Sequence, residues 1–119
     1  MKHKNCDANV KALYDTLYVI GGKWKMPILA SILSGNQRFR EIERSIPKIS
    51  TKVLSTNLKA LEENLLITRT VYDDIPVRVV YAPTGYARTL DQVIREMVAW
   101  GKSHKNEIIK NRLQNVVQL

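Results

Sequence analysis

Cysteine occurs once and phenylalanine once in 119 residues, and histidine only at His3 and His104. A single cysteine forms no internal disulfide and supplies no zinc knuckle; as a free thiol it fits a reducing compartment, so the cytoplasm is expected. No apolar run approaches the roughly 20 residues that span a bilayer, and the opening "MKHKNCDANV" has no apolar core of a signal peptide. The chain therefore reads as unexported, with no membrane partner. The two histidines stand alone, no phosphate loop or metal-ligand spacing occurs, and no nucleophile has a visible base. Nothing points to an enzyme, a cofactor or a metal. Single-stranded RNA is a weak alternative too, because the phenylalanine and most tyrosines fall on apolar stripes and leave no stacking platform.

Acidic residues are also in short supply. Nineteen Lys/Arg face eleven Asp/Glu, a formal net charge of +8. The imbalance is concentrated: residues 1–60 hold eleven basic and four acidic side chains, residues 61–119 eight and seven. A basic patch built from the first half favours a polyanionic partner, nucleic acid before an anionic membrane surface.

The length suits one domain, 1–119, with a short tail over 1–7 and a helical extension over 102–119. Asp7 is placed to cap a helix whose apolar positions Val10, Leu13, Tyr14, Leu17 and Tyr18 have helical spacing, and "GG" at 21 and 22 ends it. "KWKMPILASILS" predicts a second helix with Pro27 in its first turn, closed by Gly35 and Asn36. A residue or two of strand at Gln37 and Arg38 leads to a short helix burying Phe39, Ile42 and Ile46. Pro47 stops it. Ser50 caps the next helix, "TKVLSTNLKALEENL", whose leucines at 54, 58, 61 and 65 mark one buried stripe. "LITRTVY" and "VRVVYA", separated by "DDIP", predict a hairpin. Asp73 and Asp74 at its tip read as turn formers rather than as paired acids for catalysis. A long helical register follows, with more apolar positions than one small core needs.

Helix, short turn, helix and ribbon is the order of a winged helix-turn-helix: mainly α with a small β-hairpin wing. The leucine stripe would hold the second helix on the body while Thr51, Lys52, Ser55, Thr56 and Lys59 project outward with donors and acceptors suited to base edges and phosphates. Arg38, Arg40, Arg44 and Lys48 lie just upstream. Arg78 in the wing reads either as a minor-groove or phosphate contact or as a solvated strand arginine. A protein-interaction or non-specific nucleic-acid-binding module on the same fold is the competing reading of these features.

"VIGGKWKMPIL", "RFREIERSIPKISTKVLSTNLKALEENLLITRTVY" and "IPVRVVYAPT" closely resemble the HxlR-type family of bacterial winged-helix transcriptional regulators, relatives of the MarR superfamily, from about Cys6 to Gly101. The resemblance implies a homodimer on an inverted-repeat operator in double-stranded DNA, repressing more often than activating. It sets the helix-turn-helix on Arg38 to Ser45 and Ser50 to Asn64, with Ser50, Thr51, Lys52, Ser55, Thr56 and Lys59 facing DNA and Arg78 in the wing motif Pro76 to Tyr81. Val80 and "APTGYA" depart from the family pattern. Some members resembling this chain sense quinones, aldehydes or oxidants through an N-terminal cysteine, which makes Cys6 a candidate sensor; Lys2, His3 and Lys4 nearby and a helix start after Asp7 would favour its thiolate, while the Asp7 charge opposes it. Dimer contacts are expected from Val10, Leu13 and Leu17 and from Val93, Met97, Trp100 and Ile108.

Overall fold

Helix α1 spans Lys2–Ile20, α2 Lys25–Leu33, α3 Phe39–Ser45 and α4 Thr51–Glu63; strands β1 (Ile67–Tyr72) and β2 (Arg78–Pro83) follow, then a 3₁₀ turn (Tyr86–Leu90) and α5 (Asp91–Val117). The coordinates are a computed structural model describing the backbone of residues 2–117 and the side chains of residues 7–116. The class is the expected one, mainly α with a single antiparallel hairpin. Residues 1–88 form one compact unit and residues 89–119 a second.

Helix α1 starts earlier than its sequence suggests. Asp7 lies inside it rather than at its N-cap, because the helical backbone already begins at Lys2. Its end is as expected and has a steric cause: Gly21 donates its N–H to Leu17 O at 2.7 Å, and a Cβ at Gly21 would collide with that carbonyl. Gly22 then reverses the chain with φ 89°. Pro27 falls at the third position of α2, where its missing N–H leaves no helical bond unmade. The buried face of α2 is Ile28, Leu29 and Ile32.

A short chain of hydrogen bonds ties α2 to α3. Ser45 Oγ donates to Ile42 O at 2.6 Å, so in the Ser31–Ser45 contact, also 2.6 Å, Ser31 is the donor, and Ser31 Oγ in turn accepts from Asn36 Nδ2 at 3.0 Å. Every proton in this part-buried network is thereby assigned. At the start of α3 the Glu41 carboxylate accepts the N–H of Arg38 at 2.9 Å and of Gln37 at 3.3 Å. Ile42 and Ile46 are buried as expected, while Phe39 is only half-buried. Gln37 and Arg38 form no strand; Gln37 O instead accepts one bond from Tyr81 N–H at 2.8 Å, which fixes the base of the hairpin to the start of α3.

Leu54, Leu58 and Leu61 of α4 are buried, but the expected fourth member of the stripe is not. Leu65 is 69% exposed and its φ is 66°. The reason is the way α4 ends: Leu65 N–H bonds Glu62 O and Leu66 N–H bonds Leu61 O, both at 3.0 Å, the pair of reversed bonds that closes a helix through a left-handed residue. Leu66 takes the buried place instead, at 1% exposure. β1 and β2 then pair in register from Ile67 with Pro83 to Tyr72 with Arg78. Ile67 and Tyr81 turn into the core, and Thr84 Oγ1, which donates to Leu65 O at 2.7 Å, accepts Ala87 N–H at 3.0 Å to start the 3₁₀ turn.

Candidate nucleic-acid interface

Helix α4 follows α3 after five residues, and the left-handed Lys48, φ 67°, makes the turn between them. Ser50 caps α4, accepting Val53 N–H on its Oγ at 3.1 Å. With the three core leucines on one side, the residues expected to face DNA fall on the other: Thr51, Lys52, Ser55, Thr56 and Lys59 are all exposed, as is Ser50. Arg38, Arg40, Arg44 and Lys48 are exposed beside them. The N-terminal end of α4 adds the partial positive charge of its unpaired N–H groups to this surface.

The two carboxylates among these cations, Glu41 and Glu43, are both engaged locally. Glu41 holds backbone amides, as above. Glu43 accepts from Thr51 Oγ1 on Oε2 at 2.8 Å and from Arg40 Nη1 on Oε1 at 3.0 Å. The Thr51 hydroxyl, followed by Arg40, holds the Glu43 carboxyl below the usual carboxylate range. This bond is therefore in place above that range and is lost as pH falls through the lowered value. Sequence reading missed Glu43. Arg40 is its neighbour three residues back on α3, but Thr51 is on α4 and is brought to it only by the turn between the two helices.

Arg78 sits at the start of β2, where its Nε donates to Asp74 Oδ2 at 2.8 Å and its guanidinium lies 4.1 Å over the Tyr72 ring. The wing cation is thus folded against its own hairpin. Ser55 and Lys59 line a shallow cleft with Arg69 and Tyr81 of the hairpin. Arg69 is a further cation that the sequence did not single out, since nothing local distinguishes it from any strand arginine. The side chain of Cys6 lies outside the described residues; its backbone is in α1, four residues past the helix start, so the first turn is formed by residues before it. Of the candidate dimer residues, Val10, Leu13 and Leu17 on α1 and Val93, Met97, Trp100 and Ile108 on α5 are all exposed. Among the described residues no cluster of His, Cys, Asp and Glu is arranged to hold a metal, and no helix is long and apolar enough to cross a membrane.

The model of the HxlR-like helix-turn-helix family matches residues 19–109. The chain belongs to the HxlR family. As an HxlR-type protein it is a DNA-binding transcriptional regulator and not an enzyme, and its core, turn and wing are those of the family's helix-turn-helix. Among its relatives, the HTH-type transcriptional regulator YtcD of Bacillus subtilis is 38% identical over 108 residues, covering 91% of this chain and 83% of that protein. The redox regulator HypR in its reduced form superposes with a TM-score of 0.77 at 34% identity, covering 83% of this chain and 98% of that one. YodB of Bacillus subtilis in its diamide-treated form gives a TM-score of 0.65 at 36% identity, covering 76% and 89%.

Proposed function

We propose that this HxlR-type regulator acts in the cytoplasm as a homodimer on an inverted-repeat operator, each protomer laying α4 in a major groove and its hairpin along the flanking backbone, and that it represses more than it activates. The observation that carries this reading is the capped, leucine-anchored α4, whose outer face carries Thr51, Lys52, Ser55, Thr56 and Lys59 and whose neighbouring carboxylates are engaged within the protein. Lysines and arginines there would position the duplex through phosphates, and the hydroxyls at the start of α4 would read base edges. With a two-fold axis the half-sites lie about 34 Å apart. Fluorescence anisotropy on a duplex from just upstream of its own gene, against a scrambled duplex across a salt series, tests it. A preference of at least about 10³-fold is expected. Equal, steeply salt-dependent binding to both supports instead a module that holds nucleic acid without reading sequence.

Cys6 is proposed as the sensing residue, so that electrophiles or oxidants modify it and shift the dimer between two arrangements of different operator affinity. Supporting this are the similarity to HypR, described as a redox regulator with reduced and oxidised forms, and to YodB, with diamide-treated and quinone-bound forms. The chain has one thiol, so modification has one address. Treatment with diamide or a quinone is expected to lower operator affinity of the wild type and leave Cys6→Ser unchanged. Equal losses in both proteins would remove Cys6 from the mechanism.

A further inference from the structure

We propose that Glu43 sets the hydrogen-bond polarity of Thr51, making it an acceptor-only group that selects, on the DNA strand nearer to it, a base with a major-groove amino group, adenine or cytosine, over guanine or thymine. This rests on the sequence-specific reading above and gives that reading a chemical rule. A threonine hydroxyl has one proton and two lone pairs, and an ionised carboxylate only accepts. In the 2.8 Å contact the proton therefore lies between Thr51 Oγ1 and Glu43 Oε2. Arg40 restrains the other carboxylate oxygen at 3.0 Å, and the Glu43 side chain is only 21% exposed, so turning it away breaks a second bond.

Thr51 is the first residue of α4 and exposed, at the end of a recognition helix that meets base edges. With its proton engaged it presents lone pairs alone. Phosphate oxygens are acceptors and gain nothing from such a group. In the major groove the available donors are adenine N6 and cytosine N4. Each base pair carries its amino group on one base and a keto oxygen on the other, so an acceptor at a fixed place distinguishes the two strands. The neighbouring Ser50 differs: its Oγ accepts Val53 N–H, which leaves its proton and one lone pair, so it keeps a donor for a phosphate. Glu43 is in this sense a positioning residue. It touches no base and acts through the proton it holds.

The test is selection by the full-length protein from a duplex pool with about two helical turns of random sequence. Wild type and Thr51→Ser are expected to enrich one motif, with adenine or cytosine on one strand at one position of each half-site. Thr51→Val should keep the rest of the motif and lose preference at that position by about three- to tenfold. Glu43→Gln, whose amide donates to Thr51 and releases its proton, should weaken that preference or turn it towards guanine or thymine. An unchanged motif in Thr51→Val or in folded Glu43→Gln overturns the proposal, as does guanine or thymine at the Thr51-dependent position in the wild type. Thr51→Val changes an exposed side chain and carries the test even if Glu43→Gln fails to fold. A wild type that enriches no motif refutes the sequence-specific reading itself, and the proposal with it.

Discussion

Arg78 donates to Asp74 across the mouth of the hairpin and lies over the Tyr72 ring, so its charge is partnered before any DNA arrives. The two charged side chains are 42% and 53% exposed, and water screens a pair of that kind to about 0.2–1 kcal/mol. The Tyr72 ring attracts the guanidinium without neutralising it. A phosphate approaching the wing can use the remaining guanidinium N–H groups, but it meets the opposing charge of Asp74 beside them. Asp74→Asn is expected to tighten operator binding about two- to fivefold, measured by anisotropy at low salt. Repeating the substitution in an Arg78→Ala background separates release of the arginine from the general removal of an acid. The gain should shrink there; an undiminished gain assigns it to charge alone.

Lys48 and Leu65 both hold left-handed backbone with a Cβ present, one in the turn before α4 and one at its end. For an L-residue that conformation costs about 1–2 kcal/mol, part of which glycine returns through its greater freedom in the unfolded chain. Leu65 is exposed, so Leu65→Gly removes no core contact and should raise stability by about 0.5–1 kcal/mol, read as a higher urea midpoint with an unchanged slope. A lower midpoint would mean that the leucine side chain has a partner. The same residue explains where sequence reading succeeded and failed. Leu54, Leu58 and Leu61 were legible because helical period and core face agree; Leu65 was misassigned because no glycine announces the end of α4. Gly21, Pro27 and Ser50 act within one turn of chain and were read correctly for that reason. The start of α1 before Asp7 and the Thr51–Glu43 bond were not, since the first has no capping residue to mark it and the second joins side chains of two helices brought together only by folding.

Two long helices leave apolar side chains in water. On α1, Val10, Leu13, Tyr14, Leu17 and Tyr18 recur at helical spacing and are all exposed; on α5 the exposed set runs from Val93 through Met97 and Trp100 to Ile108 and Val116. Continuous apolar stripes of this kind are uncommon on a monomer and mark a partner surface. A second copy is the occupant that the inverted-repeat reading requires, because one α4 covers one half-site and the affinity of two linked half-sites exceeds that of either alone by about 10²–10⁴. Leu13→Glu with Leu17→Glu places two charges on the exposed stripe of α1 without touching the buried core of residues 20–87. The variant is expected to keep its helical circular dichroism, to sediment as a monomer where the wild type sediments as a dimer, and to lose at least about 10²-fold on the full operator. On a duplex carrying one half-site, wild-type and variant affinities should converge, because α4 and its basic surround are untouched. A variant that still sediments as a dimer moves the interface off α1 and onto α5; a monomer that holds the full operator as tightly as the wild type removes dimerisation from DNA recognition.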